Sequence, residues 1–126
     1  DTRIFRKDEN TGKMRTVFDT ISDNAANAGV ISGVQKNDPQ KFDLRRVGSI
    51  VMRNNEVEET GLGAGVLNDP ITGIIWLVKR LSEYNLKISP GEIILSGSFI
   101  RPIEARKGDE FYADFGDFGF VECKFN

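Results

Sequence analysis

The chain contains no histidine and a single cysteine among its 126 residues. Without histidine, this chain cannot supply a Ser-His-Asp triad or an imidazole acid–base catalyst. The lone Cys123 cannot form an intramolecular disulfide. It alternates with Val121 and Phe125, which predicts a buried thiol in a reducing compartment.

A basic excess and a long apolar run are also missing. The chain carries 17 basic and 19 acidic residues, for a net charge of −2, whereas a nucleic-acid surface needs clustered basic residues. No stretch approaches the roughly 18 apolar residues of a membrane span. We expect a soluble, cytoplasmic protein with no nucleic-acid or membrane partner. The sequence starts with Asp1 as if already inside a strand, so residues 1–126 are expected to be one domain from a longer polypeptide.

One long helix is predicted after Asp69 and Pro70. Asp69 is a suitable N-cap, and proline is favoured at the first helical position because its missing N–H has no partner there in any case. Apolar residues then recur at helical spacing, and the helix is expected to end near Tyr84. The apolar stripe consists of Ile71, Ile74, Ile75, Val78 and Leu81. Trp76 lies off this stripe, where a subunit contact is one explanation.

Alternating apolar residues and turn signals predict about seven short strands. The candidate segments are a hairpin over residues 1–18, a strand at 30–34, a hairpin over 44–53 and 56–60, a strand at 93–95, and a hairpin over 110–115 and 120–125. The predicted fold class is mostly β with one long helix (α+β), with the strands rolled or closed like a barrel and the helix packed against them.

The loop DTISDNAANAG at residues 19–29 is unusually polar. Asp19 or Ser22 is expected to cap a short helical turn there, and Gly29 to end it. Caps and turn formers alone explain the carboxylates and amides of this loop. Asp19 and Asp23 have no third carboxylate nearby, and two carboxylates alone are weak evidence for a metal site. No residue of this chain is therefore predicted as a metal ligand.

Two further patterns leave alternatives open. Ser96-Gly97-Ser98 follows an apolar strand, so a ligand could approach backbone N–H groups and hydroxyls there; a strand end with a bulge is the alternative. Arg101 precedes a proline and could clamp a carboxylate, or form a surface salt bridge.

The glycines of GLGAG at residues 61–65 do not match the dinucleotide fingerprint, and a backbone bend explains them better.

Four blocks of the sequence together carry a resemblance. They are DTRI, DTISDNAANAG, GLGAGVLNDPITGIIWLVKRLSEYN and EIILSGSFIRPIEARKGDEFYADFG…FVECKF. In this order they resemble the C-terminal half of the 2-oxo acid hydratase and decarboxylase family, within the fumarylacetoacetate hydrolase-like superfamily. Because the blocks run through nearly the whole chain in sequence, the resemblance is far more specific than one motif would be.

The resemblance implies a β-rich fold of the fumarylacetoacetase C-terminal type and a divalent ion, Mg2+ or Mn2+. Such an ion would act as a Lewis acid on a small-molecule 2-oxo-alkenoate while water adds to its alkene. The family's glutamate ligands and active-site lysine are expected upstream of residue 1. Homo-oligomers are also implied. A 2-oxo acid decarboxylase and a catalytically inert partner or structural fragment remain alternatives.

The resemblance also assigns site residues. Asp19, Asp23 and Asn24 match the polar loop that lines the family's pocket and are the catalytic candidates. Ser98 matches the small residue beside the substrate, and Gly97 and Asn27 are taken as substrate-binding with it. Ala26 replaces the serine of five-carbon hydratases, which favours the dicarboxylate branch acting on 2-oxohept-4-ene-1,7-dioate. For such a substrate, Arg101 is our candidate for the distal carboxylate.

Overall fold

A computed structural model describes residues 7–126, and the chain divides into two compact units, residues 1–31 and 32–126. The predicted α+β class is confirmed: the described part contains two α-helices, four paired strands and short 3-10 turns. The helices are α1, Val17–Ser22, and α2, Ile71–Ser82; the strands are β1, Gly48–Arg53, β2, Glu56–Leu62, β3, Glu110–Asp114, and β4, Phe120–Lys124.

The first unit opens with a tight turn. An antiparallel bridge joins Lys7 to Met14, Asp8 N–H donates to the Lys13 carbonyl at 2.9 Å, and Gly12 takes a left-handed φ of 69°. The predicted turn of the hairpin over residues 1–18 is therefore confirmed. Its first strand, residues 1–5, lies outside the described residues, and its second strand is wrong because Val17–Ser22 is helical.

Helix α1 and the turn after it also correct the predicted caps. Helix α1, which was not predicted, has Thr16 as its N-cap, and the predicted helical turn after it is capped by Asp23 rather than by Asp19 or Ser22. A 3-10 turn follows at Asn24–Ala26, and its C-cap is Asn27 rather than Gly29.

The second unit is built around an antiparallel sheet in the order β2-β1-β3-β4. Both predicted hairpins around this sheet, β1–β2 and β3–β4, are confirmed. Val51 pairs with Ala113 and Ala113 with Val121, so these three side chains share one face of the sheet. Val51 is 8% exposed and is, with Ala26, one of the two buried hydrophobic residues of the described part.

Helix α2 begins where the sequence predicts. Asp69 Oδ1 accepts from the Ile71 N–H at 2.9 Å, although Pro70 occupies the N-cap position itself. The helix ends at Ser82, somewhat before the predicted end near Tyr84. Trp76 is 64% exposed, as expected for a residue off the apolar stripe.

Two predicted strands are absent from the paired sheet. Residues 30–34 and 93–95 take no part in any ladder between described residues. Strands need partners more than they need propensity, and these apolar segments find none in the part of the chain that is described. The sheet is therefore open and four-stranded, not a seven-stranded roll or barrel. No helix within residues 7–126 is long and apolar enough to cross a membrane.

Candidate functional site

Asp19 is held by the first turn of α1. Its Oδ2 accepts hydrogen bonds from the Thr16 backbone N–H and from the Thr16 hydroxyl, each at 2.7 Å. Together with the Thr16 side chain, which accepts from the Asp19 N–H, this forms a reciprocal capping box. The Thr16 N–H, followed by its hydroxyl, lowers the pKa of Asp19 below its usual value. In this unit Asp19 is an ionised helix cap.

Asp23 is engaged through both carboxylate oxygens. Oδ2 lies 2.5 Å from Arg15 Nη2, and Oδ1 accepts from the Ala26 N–H at 3.0 Å. The hydrogen bond from Arg15 is the main cause that lowers the pKa of Asp23. Asp23 is therefore an ionised acceptor at neutral pH, suited to orient a water or hydroxyl group and unsuited to donate a proton.

The backbone between Asp23 and Asn27 is strained. Asn24, Ala25 and Ala26 have φ values of 54°, 56° and 63°, so three successive residues are left-handed. This region disfavours residues with a Cβ, and asparagine tolerates it better than alanine. Ala26 is nevertheless 1% exposed, while the Asn24 side chain is exposed and Asn27 half-buried. Strain of this kind often marks a functional loop.

Ser98 and Gly97 lie in the second unit. The Ser98 hydroxyl donates to the Ile100 carbonyl and accepts from the Ile100 N–H, both at 3.1 Å. Gly97 has a φ of 102°, which requires a residue without a side chain. The predicted apolar strand before this segment pairs with no residue among 7–126, so within the described residues the segment is an exposed turn and not the end of a sheet strand.

Arg101 forms the salt bridge that the sequence left as an alternative. Its Nε donates to Glu59 Oε1 on β2; the Arg101 side chain is 79% exposed and that of Glu59 16% exposed. The carboxylate thus fixes one edge of an otherwise solvated guanidinium. Gly97, Ser98 and Arg101 fall within one short segment of the second unit, whereas Asp19, Asp23, Asn24 and Asn27 belong to the first.

These residues do not fit a divalent metal site. No group of three or more His, Cys, Asp or Glu side chains that could hold a metal converges within residues 7–126. The carboxylates of the polar loop are also occupied, Asp19 by its cap and Asp23 by Arg15. The described residues alone therefore present no preformed carboxylate cluster for a divalent ion.

An apolar cavity of about 450 Å³ in the second unit was missed by the sequence reasoning. It lies between α2 and the sheet, and its lining includes Ile71, Ile74, Phe99, Phe115 and Val121. The apolar stripe on α2 and the inward face of β4 were both predictable from the sequence. The approach of Phe99 from another segment was not, because it is a long-range contact.

A larger concavity of about 660 Å³ on the same unit reaches Ser49 on β1. Ser49 is 4% exposed, and its hydroxyl finds no hydrogen-bond partner among the described residues. Burying an unpaired hydroxyl costs about 1–3 kcal/mol. Arg46, Lys41 and Asp114 also line this concavity, so its wall mixes both signs of charge.

Comparison with known proteins shows that this chain is similar in sequence to two hydratases. It is 50% identical over 125 residues to 2-oxo-hept-4-ene-1,7-dioate hydratase of Escherichia coli, with 99% of this chain and 47% of that protein covered. It is 32% identical over 107 residues to 2-keto-4-pentenoate hydratase of Paraburkholderia xenovorans (strain LB400), with 85% and 40% covered. No protein-family model matches.

The fold agrees with these sequence matches. The chain superposes with a TM-score of 0.82 and 28% identity on 4-oxalocrotonate decarboxylase from Pseudomonas putida G7, complexed with magnesium and adipate, over 94% of this chain and 44% of that one. The chain thus spans less than half the length of each of these relatives. Along the part of their length that it spans, the chain belongs to the family of 2-oxo acid hydratases and decarboxylases.

Proposed function

We propose that the chain is part of a cytoplasmic, metal-dependent hydratase that adds water to a 2-oxo-alkenoate in the catabolism of aromatic compounds. The proposed substrate is 2-oxohept-4-ene-1,7-dioate, and the product is 4-hydroxy-2-oxoheptanedioate. The observation that carries this proposal is the 50% identity to the E. coli hydratase over 99% of the chain. We further propose a fumarylacetoacetase-like fold for the whole protein and a homo-oligomeric assembly.

In the first unit, residues 19–27 are proposed to position the attacking water. Asp23, kept ionised by Arg15, accepts a hydrogen bond from the attacking water, and Asn24 orients that water through its amide. Asp19 holds the loop at the start of α1, and Asn27 closes its turn by donating its N–H to the Asn24 carbonyl at 3.1 Å. The strained turn keeps these groups in a fixed arrangement before substrate binds.

The second unit would bind the substrate itself. Ser98 and the unsubstituted backbone of Gly97 offer polar groups to a carboxylate or keto oxygen. Mg2+ or Mn2+, held by ligands outside residues 7–126, would supply Lewis-acid stabilisation of the negative charge on the 2-oxo acid. Since the described residues hold no cluster suited to a metal, we expect the 126-residue chain alone to show no turnover with Mg2+.

Arg101 is proposed to bind the distal carboxylate, with Glu59 fixing its Nε edge. Replacing it with alanine in the intact enzyme should raise KM for the dicarboxylate by about ten- to a hundredfold, which corresponds to about 1.5–3 kcal/mol for a charged hydrogen bond. A monocarboxylate substrate should be nearly unaffected. Arg45→Ala is the matched control, because Arg45 is also exposed and paired with an acidic residue, Asp43. An equal increase in KM for both substrates would contradict this role of Arg101.

The hydratase proposal is tested by incubating the enzyme with the dicarboxylate and Mg2+ and separating the products by chromatography. Accumulation of 4-hydroxy-2-oxoheptanedioate supports it. The alternative, a 2-oxo acid decarboxylase, is favoured by the structural match to 4-oxalocrotonate decarboxylase. Release of CO2 without the hydroxy acid would establish that alternative instead.

A further inference from the structure

The apolar cavity between α2 and the sheet is built from uncharged residues. Sixteen described residues line its volume of about 450 Å³, and none of them is charged, although charged residues make up 29% of the chain. A charged group that entered the cavity would lose its hydration and gain no partner of opposite charge. The cavity therefore suits an uncharged molecule and does not suit the dicarboxylate of the proposed function.

The aromatic walls of this cavity are held by contacts within the second unit. Phe99 packs against Gly61 on β2, where an added Cβ would overlap the Phe99 ring. Phe118 meets the ring of Phe42 edge to face, with a distance of 5.1 Å between the ring centroids. Because these walls are in place before a ligand arrives, little free energy is lost in ordering them. Fixed phenylalanine rings pack well against another aromatic ring, stacked or edge to face.

The wall of the cavity near Gly119 carries hydrogen-bonding groups. Gln35 and Asn37 both line the cavity. Gln35 Nε2 donates to Asn37 Oδ1 at 3.1 Å, and Asn37 Nδ2 donates to the Phe118 carbonyl, so both amides are held in place. Gln35 Oε1 lies over Gly119, where an added Cβ would come within 2.9 Å of it. This oxygen can therefore accept a hydrogen bond from the hydroxyl group of a ligand in the cavity.

The volume of the cavity suits one or two rings. A cavity of about 150 Å³ lined by similar side chains holds one benzene molecule, and ligand pockets commonly measure about 300–1,000 Å³. We propose that this cavity binds an uncharged aromatic compound of one or two rings that carries a hydroxyl group. The rings would pack against Ile74 and Phe99, and the hydroxyl would donate to Gln35 Oε1. Neither Ser98 nor Arg101 is among the residues that line the cavity, so the compound would not occupy the place proposed for the substrate.

Isothermal titration calorimetry of the intact enzyme tests this site with matched compounds. 2-Naphthol is uncharged at pH 7 because a phenolic hydroxyl has a pKa of about 10, whereas 2-naphthoate carries a charge on the same two rings. We expect 2-naphthol to bind at least about a hundredfold more tightly than 2-naphthoate. It should bind about three- to tenfold more tightly than naphthalene, which lacks the hydroxyl. No binding of 2-naphthol, or equal binding of 2-naphthoate, would overturn the proposal.

Competition with a dicarboxylate separates this cavity from the proposed substrate site. Adipate, which is present in the solved decarboxylase complex, carries two charges and does not suit an uncharged cavity. A saturating concentration of adipate should therefore leave the affinity for 2-naphthol unchanged. Displacement of 2-naphthol by adipate would place it in the substrate site and would overturn the proposal.

A matched pair of substitutions on α2 locates the site. Ile74 lines the cavity, and Ile74→Trp should fill part of it and weaken 2-naphthol binding at least about tenfold. Ile75 is 50% exposed and does not line the cavity, so Ile75→Trp should leave the affinity unchanged. Equal weakening by both substitutions would count against this cavity as the site.

Gln35→Leu tests the hydrogen bond to the hydroxyl. This variant should bind 2-naphthol and naphthalene with similar affinity, because the acceptor for the hydroxyl is lost. An unchanged preference for 2-naphthol would contradict the role of Gln35. The comparison of 2-naphthol with 2-naphthoate on the unsubstituted protein decides whether the site exists even if a variant fails to fold.

Discussion

Substitution of Gly63 by alanine is the perturbation whose effect the structure specifies best. A Cβ at Gly63 would overlap the Leu44 carbonyl oxygen and lie 3.1 Å from the Leu44 carbonyl carbon. The obstacle is backbone, which cannot rotate away as a side chain can. The surrounding chain is fixed by hydrogen bonds from the Gly63 N–H to the Val47 carbonyl at 2.9 Å and from the Ala64 N–H to the Arg45 carbonyl at 2.8 Å.

The expected cost follows from these contacts. Overpacking costs about 1–3 kcal/mol, and moving the Leu44 segment away would also weaken two backbone hydrogen bonds worth about 1 kcal/mol each. Gly63→Ala should therefore lower the free energy of unfolding by about 3–5 kcal/mol. This approaches the whole stability of a small domain, about 5–15 kcal/mol.

Urea unfolding followed by far-UV circular dichroism measures this loss, and Gly65 supplies the control. A Cβ at Gly65 meets nothing within 4 Å, and neither glycine is in the left-handed region. Gly65→Ala should change the free energy of unfolding by less than about 1 kcal/mol. If the two variants unfold at the same urea concentration, the close approach of Gly63 to Leu44 is not a real constraint.

Two further predictions concern the first unit. Ala25→Gly relieves a left-handed φ of 56° and should stabilise the turn by about 0.5–1 kcal/mol, whereas Ala28→Gly, at a residue without positive φ, should destabilise it. Amide hydrogen exchange measures both changes in stability, and a change of the same sign in both variants would contradict the strain. Arg15→Gln should raise the pKa of Asp23 toward its ordinary value of 3.8 while the pKa of Asp8 stays lowered by its Thr11 hydrogen bonds, as NMR titration would show. Because the folded pKa of Asp23 is depressed, its contribution to stability is present above pH 3.8 and is lost as the pH falls further. Arg15→Gln should reduce this dependence of stability on pH. An unchanged pKa of Asp23 in the variant would contradict its pairing with Arg15.

Strands with a nearby partner were predictable from the sequence. The hairpin of β3 and β4 follows from period-2 alternation on both sides of a glycine turn, and that of β1 and β2 from Asn54-Asn55, which adopt φ values of 53° and 67°. Residues 93–95 have equal strand propensity, but they pair with no strand among residues 7–126. Local pattern indicates that a segment can be a strand, and long-range contacts decide whether it is one.

In the polar loop at residues 19–27 and the helix before it, the cap was predictable from the sequence and the backbone conformation was not. The Thr16-x-x-Asp19 spacing is a capping-box signal, and recognising it would have replaced the second strand of the first predicted hairpin with α1. The left-handed turn at Ala25 and Ala26 had no local signal, because alanine disfavours that region. The spacing of residue types indicates a helix cap, whereas backbone strain is visible only in three dimensions.

The central claim, that this chain is part of an enzyme that adds water to a 2-oxo-alkenoate, is tested most directly by mass spectrometry. The intact enzyme is incubated with 2-oxohept-4-ene-1,7-dioate and Mg2+ in ¹⁸O-labelled water. We expect a product with one water added, carrying a heavy oxygen in its new hydroxyl group. A product lighter by one CO2, with no added water, would contradict it.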